Sequence, residues 1–363
     1  MRKDYNVLIC CVASHSFGFG HLSRCCSLAE ELVEYCNVKF FFYKPCSPNA
    51  VVILQNKELQ LSFIPSNESD DEVETKLISE IKNKSIDILI FDMPFDVPTT
   101  CIRNIRKFDI ILATLDDATN KRKACDLAFY PPSIDNETLD WDNSACRVII
   151  GSEYIILHKQ FQKFICKNNL VENKIENRIL LRSQYNILIT MGASDPLNYT
   201  LLTIEALKAA DLDVNSLFLT IVLGPEYKWQ KQLKESLQNF KYKHRVLSTT
   251  DNMAELMYNS NLAIASFGHT AYELFALEIP SIILSISDQH YESAKIVQKK
   301  IHHEFTLISP LSGSCELTIS LNNLIKNLKM RRLKKNKKRK HIDGLGARRI
   351  SKLLFDTRKI NNQ

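Results

Sequence analysis

Short unbroken apolar runs alternate along this chain with stretches in which apolar residues recur every three or four positions. The first pattern reads as buried strand and the second as amphipathic helix. In the first half the expected strands are Asn6–Val12, Val38–Tyr43, Leu61–Ile64, Ile86–Phe91, Ile110–Leu115 and Leu127–Phe129. The helices expected between them are Leu22–Val33, Val51–Asn56 and Asp70–Lys82. A polar stretch from Asn168 to Arg182 breaks the rhythm, which then restarts. Strands are expected over Tyr185–Met191, Leu217–Leu223, Arg245–Leu247, Leu262–Ser266 and Ser281–Ser285. Helices are expected over Asn198–Ala210, Tyr227–Asn239, Asp251–Asn259 (with Asp251 as a cap), Thr270–Leu277 and His290–Lys300, and a last one runs to about Arg358. Alternating strand and helix with continuously apolar strands predicts parallel sheets covered on both faces. The chain thus reads as two α/β halves with a boundary near 165–185.

Length agrees with that division, since 363 residues exceed what one core usually organises. At 45% hydrophobic and 24% charged residues the composition is that of a folded protein. No apolar run approaches the roughly 18 residues of a membrane span. Met1–Tyr5 leads into an apolar run too short for a signal peptide, so a cytoplasmic location is expected. The eleven cysteines form no pair or cluster at metal-ligand spacing and read as small apolar residues in a reducing compartment. The net charge of +6 comes from one place: Lys329 to Lys340 holds nine basic and no acidic residues, and removing those nine leaves −3. No basic surface is implied elsewhere, and no nucleic-acid partner is expected. The run itself is a solvated face or linker, or a weak contact for an anionic membrane.

Open α/β sheets bind ligands where their strands end, and four features fall at such ends. Gly18-Phe19-Gly20-His21, with Arg24 behind it, joins the first strand to the first helix. Glycines there let backbone approach a ligand, and a histidine titrates near neutrality. Gly192-Ala193-Ser194-Asp195 is a small-residue turn that either offers N–H groups to phosphate or caps the next helix through Ser194 or Asp195. Gly268-His269-Thr270 precedes Glu273, and Thr270 with Glu273 has the spacing of a capping box. Glu273 could instead meet a ribose diol. Asp288-Gln289-His290 follows the last clear strand, where a sugar hydroxyl would be read. Asp92 and Asp116-Asp117 end strands too, as acids or bases facing a ligand or as helix caps.

Together these segments resemble the UDP-2,4-diacetamido-2,4,6-trideoxy-altropyranose hydrolases of pseudaminic acid biosynthesis, and the related spore-coat polysaccharide proteins, within the glycosyltransferase-B superfamily. The resemblance runs through GFGHLSRCCSLAEEL, then Leu115–Phe129 (LDDATNKRKACDLAF) and Gly151–Phe161 (GSEYIILHKQF). It continues through Ile189–Thr200 (ITMGASDPLNYT), Ala265–Ile282 (ASFGHTAYELFALEIPSI) and Ile342–Ile350 (IDGLGARRI).

The resemblance implies two Rossmann-like domains facing across a cleft. Residues 1–170 would form the sugar-side domain and 183–328 the UDP-binding domain. Residues 329–363 would form a basic linker and a helix packing back on the first domain. His21 inherits the catalytic role, activating water against the anomeric carbon. Gly18, Gly20, Arg24, Asp92, Asp288 and Gln289 would lie on the sugar side. Gly192, Ala193 and Ser194 would lie near the diphosphate, as would Gly268, His269 and Thr270, with Glu273 on the ribose. No cofactor and no metal are implied. The implied activity is hydrolysis of a UDP-linked acetamido-deoxy sugar for surface polysaccharide. Glycosyl transfer from the same donor is the alternative, and UDP-sugar binding without turnover is a third. Oligomeric state is not legible. Three sugar-side stretches depart from the family pattern: Val12-Ala13-Ser14, Met93-Pro94-Phe95, and Asp288, where Asn is usual. They leave the sugar and the acceptor open.

Overall fold

The computed structural model describes residues 5–133, 139–169, 184–248, 250–301, 305–310, 312–330 and 342–361. The chain divides into two compact units, one of residues 1–158 and 344–363, the other of residues 159–343. The expected boundary near 165–185 therefore moves forward. The helix Lys159–Asn169 (α5) contacts the helices Met253–Tyr258 (α8) and His269–Ala276 (α9) of the second unit. Most of the basic run falls outside the described residues.

The first unit is built on seven strands: β1 (Tyr5–Cys11), β2 (Cys36–Phe42), β3 (Gln60–Phe63), β4 (Ile88–Asp92), β5 (Ile111–Leu115), β6 (Leu127–Tyr130) and β7 (Arg147–Ile150). They pair in parallel in the order β3-β2-β1-β4-β5-β6-β7. Every residue of β4 and β5 is buried, which is why both read as unbroken apolar runs. Helices α1 (Gly20–Leu32), α2 (Pro48–Asn56), α3 (Asp70–Asn83) and α4 (Thr99–Ile105) fill the crossovers. Local chemistry fixes their starts. Ser47 caps α2 with Pro48 in the first turn, and Ser69 with Glu72 closes a capping box on α3. The final helix, α12 (Gly346–Asn361), also belongs to this unit. A Cβ on Gly346 would sit 2.2 Å from the Ile155 carbonyl oxygen, so only glycine lets the helix start that close. At its far end Arg358 bridges Asp87 and Asp109.

The second unit repeats the plan with β8 (Tyr185–Thr190), β9 (Leu217–Val222), β10 (Lys243–Leu247), β11 (Leu262–Ser266), β12 (Ser281–Leu284) and β13 (Thr306–Ile308). These are parallel in the order β10-β9-β8-β11-β12-β13. Helices α6 (Tyr199–Ala209), α7 (Gln230–Leu237), α10 (Asp288–Ile301) and α11 (Ser314–Met330), with α8 and α9, accompany them. Asp251 is not the cap of α8, because Asn252 holds that position without a side-chain bond.

In both sheets the first strand lies between the second and the fourth. The chain winds outward on one side and then returns to the other. The strand order reverses between β1 and β4, and again between β8 and β11. Loops diverge at such a switch point, opening a crevice at the carboxyl ends of the strands.

The loops of the first unit are fastened from within. Lys121, in a 3-10 turn over Asn120–Ala124, is fully buried with Asp117 at 3.0 Å. Its ammonium also donates to the carbonyls of Met93 (3.0 Å) and Phe95 (2.7 Å) and to the Thr119 hydroxyl (2.9 Å). It thereby pins the loop after β4. Lys121→Met keeps the volume but leaves Asp117 as an uncompensated buried charge. It should cost the first unit about 3–5 kcal/mol, read by urea unfolding. A loss under about 1 kcal/mol would mean that Asp117 finds other compensation.

Candidate functional site

At the switch point of the first sheet, β1 and β4 run in register with Cys11 opposite Asp92. Asp92 thus stands beside the loop that leads into α1. His21, Arg24 and Cys25 are at i, i+3 and i+4 of that helix and share one face. All three converge on the carboxylate, which is wholly shielded from solvent. Its Oδ1 accepts from His21 Nδ1 at 2.6 Å and from Arg24 Nη2 at 2.5 Å. Its Oδ2 accepts from Arg24 Nε at 2.6 Å and from Cys25 Sγ at 3.1 Å. Arg24 continues to Asp116 through Nη1 at 3.0 Å and to the Leu115 carbonyl at 3.4 Å.

This arrangement assigns the imidazole tautomer. A carboxylate only accepts, so His21 Nδ1 carries the proton. The 3.3 Å approach of Arg24 Nη2 to that nitrogen joins two donors and is no bond. Nε2 is then the basic nitrogen, and it has no hydrogen-bond partner among the described residues. Burial alone would raise the Asp92 carboxyl. The Arg24 guanidinium, with His21 behind it, outweighs burial and holds the group well below the usual carboxylate range. The same pairing raises Arg24 against the lowering effect of its own burial.

Two residues expected on the sugar side therefore face inward. Asp92 has no surface and meets a ligand only through His21, and Arg24 spends most of its guanidinium on Asp92, Asp116 and Leu115. Asp92 is not a helix cap. Asp117 takes the Thr119 N–H at 2.8 Å and anchors Lys121. Gly18 closes a tight loop by donating its N–H to the Ser14 carbonyl at 2.8 Å. Gly20 opens α1 with empty space where a side chain would stand. Burial raises the Cys10, Cys25 and Cys26 thiols, so these are packing groups and weak donors.

The switch point of the second sheet carries two glycine turns. Register pairs Thr190 with Ala265, which sets the turn after β8 beside the turn after β11. Gly192 has φ +75°, a conformation that L side chains rarely adopt. Gly192, Ala193 and Ser194 present backbone N–H groups with no described acceptor. The start of α6 does not join them. The buried Asp195 carboxylate already takes the N–H groups of Tyr199 (2.7 Å) and Thr200 (2.9 Å). Gly224 lies against this turn. A Cβ there would fall 2.1 Å from the Ala193 carbonyl oxygen, which also accepts the Glu226 N–H. The residue is legible in the sequence only as the end of a strand.

The second turn starts α9 at His269, with Gly268 as an N-cap that makes no side-chain bond. Thr270 lies inside the first turn, so Thr270 and Glu273 do not form a capping box. Glu273 is 9% exposed. Its carboxylate oxygen lies 3.8 Å from His269 Nε2, and no described hydrogen bond reaches it. Burial pushes its carboxyl up to about 8. A buried carboxyl without donors is a group that a ligand can complete. Asp288 and Gln289 stand exposed in the first turn of α10. Among the described residues no group of three or more His, Cys, Asp or Glu could hold a metal ion. No helix among them is long and apolar enough to cross a membrane.

Residues 186–354 match the model of the glycosyltransferase family 28 C-terminal domain. In structure the chain is similar to MurG of Acinetobacter baumannii, with a TM-score of 0.61 over 97% of this chain and 99% of that one, at 13% identity. The chain has the glycosyltransferase-B fold. Its two α/β units are the two Rossmann-like domains of that fold. By sequence it is 28% identical over 304 residues to the uncharacterized protein MJ1062 of Methanocaldococcus jannaschii. That match covers 82% of this chain but spans only 59% of that relative's length. It is also 23% identical to the spore coat polysaccharide biosynthesis protein SpsG of Bacillus subtilis, over 93% of this chain and 94% of that one.

The state of Glu273 sets a pH dependence. An acid whose folded pKa lies above its unfolded value supports the fold fully below the unfolded pKa. That support is lost as pH rises through the folded pKa. For Glu273 the window runs from about 4.5 to about 8. In the absence of ligand, Glu273→Gln should match the parent in thermal stability at pH 5 and exceed it at pH 8.5. Equal melting temperatures at both pH values would show a carboxyl already compensated.

Proposed function

We propose that this protein is a glycosyltransferase that moves a sugar from a UDP-sugar to a hydroxyl acceptor in polysaccharide biosynthesis. The observation that carries the reading is the oriented pair of His21 and Asp92 at a sheet switch point, with Nε2 left as a base. The second unit supports it with two glycine turns, N–H groups without a described acceptor and a buried carboxyl, within the segment that matches the family 28 domain. SpsG, named for spore coat polysaccharide biosynthesis, supplies the setting.

In this reading His21 Nε2 takes the acceptor's hydroxyl proton while that oxygen bonds to the anomeric carbon. The bond from the anomeric carbon to the diphosphate oxygen breaks, and its electron pair leaves on UDP. Asp92 stabilises the imidazolium as it forms and holds the ring in place. The N–H groups of Gly192 to Ser194 and the amino end of α9, with Gly268, His269 and Thr270, face the charge that develops on the diphosphate. Glu273 accepts hydrogen bonds from the ribose hydroxyls. Gly18 and Gly20 keep the approach to His21 open, and Asp288 and Gln289 contact the sugar.

A second reading has water as the acceptor. It is favoured by the order of motifs from Gly18–Arg24 to Ile342–Ile350, which resembles the UDP-sugar hydrolases. The chemistry at His21 is unchanged. Incubating the protein with a panel of UDP-sugars, with and without sugar acceptors, separates the two. UDP released only with acceptor supports transfer, and full release with water alone supports hydrolysis. UDP binding without any release would reduce the protein to a binder. His21→Ala should lower turnover on the order of 10²–10⁴-fold while leaving UDP affinity within about twofold. Full activity in that variant would remove His21 from the chemistry. Glu273→Ala should weaken UDP binding about tenfold, the effect of losing about 1.4 kcal/mol. An unchanged dissociation constant would take the ribose from Glu273.

A further inference from the structure

An aromatic surface is built on the loop that leads to the base. Phe17 is in the loop that leads into α1, four residues before His21, and is 37% exposed. It packs on Phe95 at 5.7 Å between centroids, and Phe95 packs on the buried Tyr43 at 5.7 Å. The Lys44 ammonium lies 5.7 Å from the Phe95 centroid and pairs with Asp70. These residues come from the ends of β1, β2 and β4, the edge that holds the switch point.

The surface is held rigid from two sides. The Phe17 loop is closed by the Ser14 to Gly18 bridge, by the Phe17 N–H donating to Ser14 Oγ at 3.3 Å, and by Ser14 to Ser16 hydroxyl contact at 2.9 Å. The Phe95 loop is held by Lys121, which grips the Met93 and Phe95 carbonyls. A ring fixed before binding loses little entropy when a ligand settles on it.

We infer that Phe17 and Phe95 form a saccharide platform that takes the C–H face of a pyranose beside His21 and sets sugar specificity. A pyranose has one apolar face and a rim of hydroxyls. The platform matches it with an aromatic face edged by the Ser14 and Ser16 hydroxyls and the Lys44–Asp70 pair. A simple hydrophobic ligand would leave that rim unused. The inference rests on the reading of the protein as an enzyme of sugar nucleotides.

Saturation-transfer NMR on the full chain, with free N-acetylglucosamine, glucose and uridine as separate probes, tests it. The C–H protons of one sugar face should receive saturation in the parent and in Phe17→Tyr. They should lose it in Phe17→Ala and Phe17→Leu, while the uridine signal stays the same in all four. With a turned-over UDP-sugar, Phe17→Ala should raise KM about three- to tenfold at unchanged UDP affinity, the size of a lost aromatic contact. The platform is overturned if Phe17→Ala leaves the sugar signals and KM unchanged, or if uridine alone loses its signal. If no UDP-sugar is turned over yet the sugar signals still depend on Phe17, the enzymatic reading fails and the platform stands.

Discussion

The Asp92 carboxylate is the constraint on which the first unit is organised. A charge removed from water must be compensated almost completely or it destabilises the fold. Asp92 is compensated side-on by one guanidinium, then by an imidazole N–H and a thiol. Meeting that demand fixes the rotation of α1, since three residues on one face must reach one point. It also fixes the tautomer of His21, and so which nitrogen faces outward. Arg24 carries the constraint onward to Asp116 and the end of β5. The same bonds that satisfy a buried charge therefore prepare the base.

The two units use one architecture for opposite electrostatic ends. In the first, the switch point is filled by paired side chains, and one imidazole keeps a nitrogen without a described partner. In the second, the switch point is lined by backbone. Gly192 and Gly224 let two loops close up, and Glu273 is buried within α9 without a described donor. Proton transfer needs a group of fixed orientation and tunable charge, which a side chain provides. Holding an anion needs several donors in fixed positions, which backbone turns and a helix start provide.

Much of this was legible in the chain. The long central strands matched their apolar runs to within a residue or two, because continuous burial leaves a continuous signature. The strands β7 and β13 were not foreseen, since each is three or four residues long at a sheet edge. Helix α5 was missed for its polar composition. The glycine turns were visible as turns. What each does depended on pairings far apart in sequence. Asp92 meets His21 across 71 residues, and nothing local distinguishes it from a helix cap. Thr270 and Glu273 misled for the converse reason, as their spacing fits a capping box but α9 begins one residue before Thr270.

Charge is distributed in a way that narrows how an anionic ligand is held. The described basic side chains of the first site are already committed: Arg24 to Asp92 and Asp116, Lys121 to Asp117, and Lys44 to Asp70. The turns at 191–198 and 267–270 contain no lysine or arginine at all. Without the Lys329 to Lys340 run, the chain carries a small net negative charge. Within those two turns the groups that can meet an anion are oriented peptide dipoles, not ammonium or guanidinium groups. Dipoles act over the first turn of a helix and offer fixed directions. They favour an anion that fits the turns over anions in general, which suits the donor site proposed for this unit.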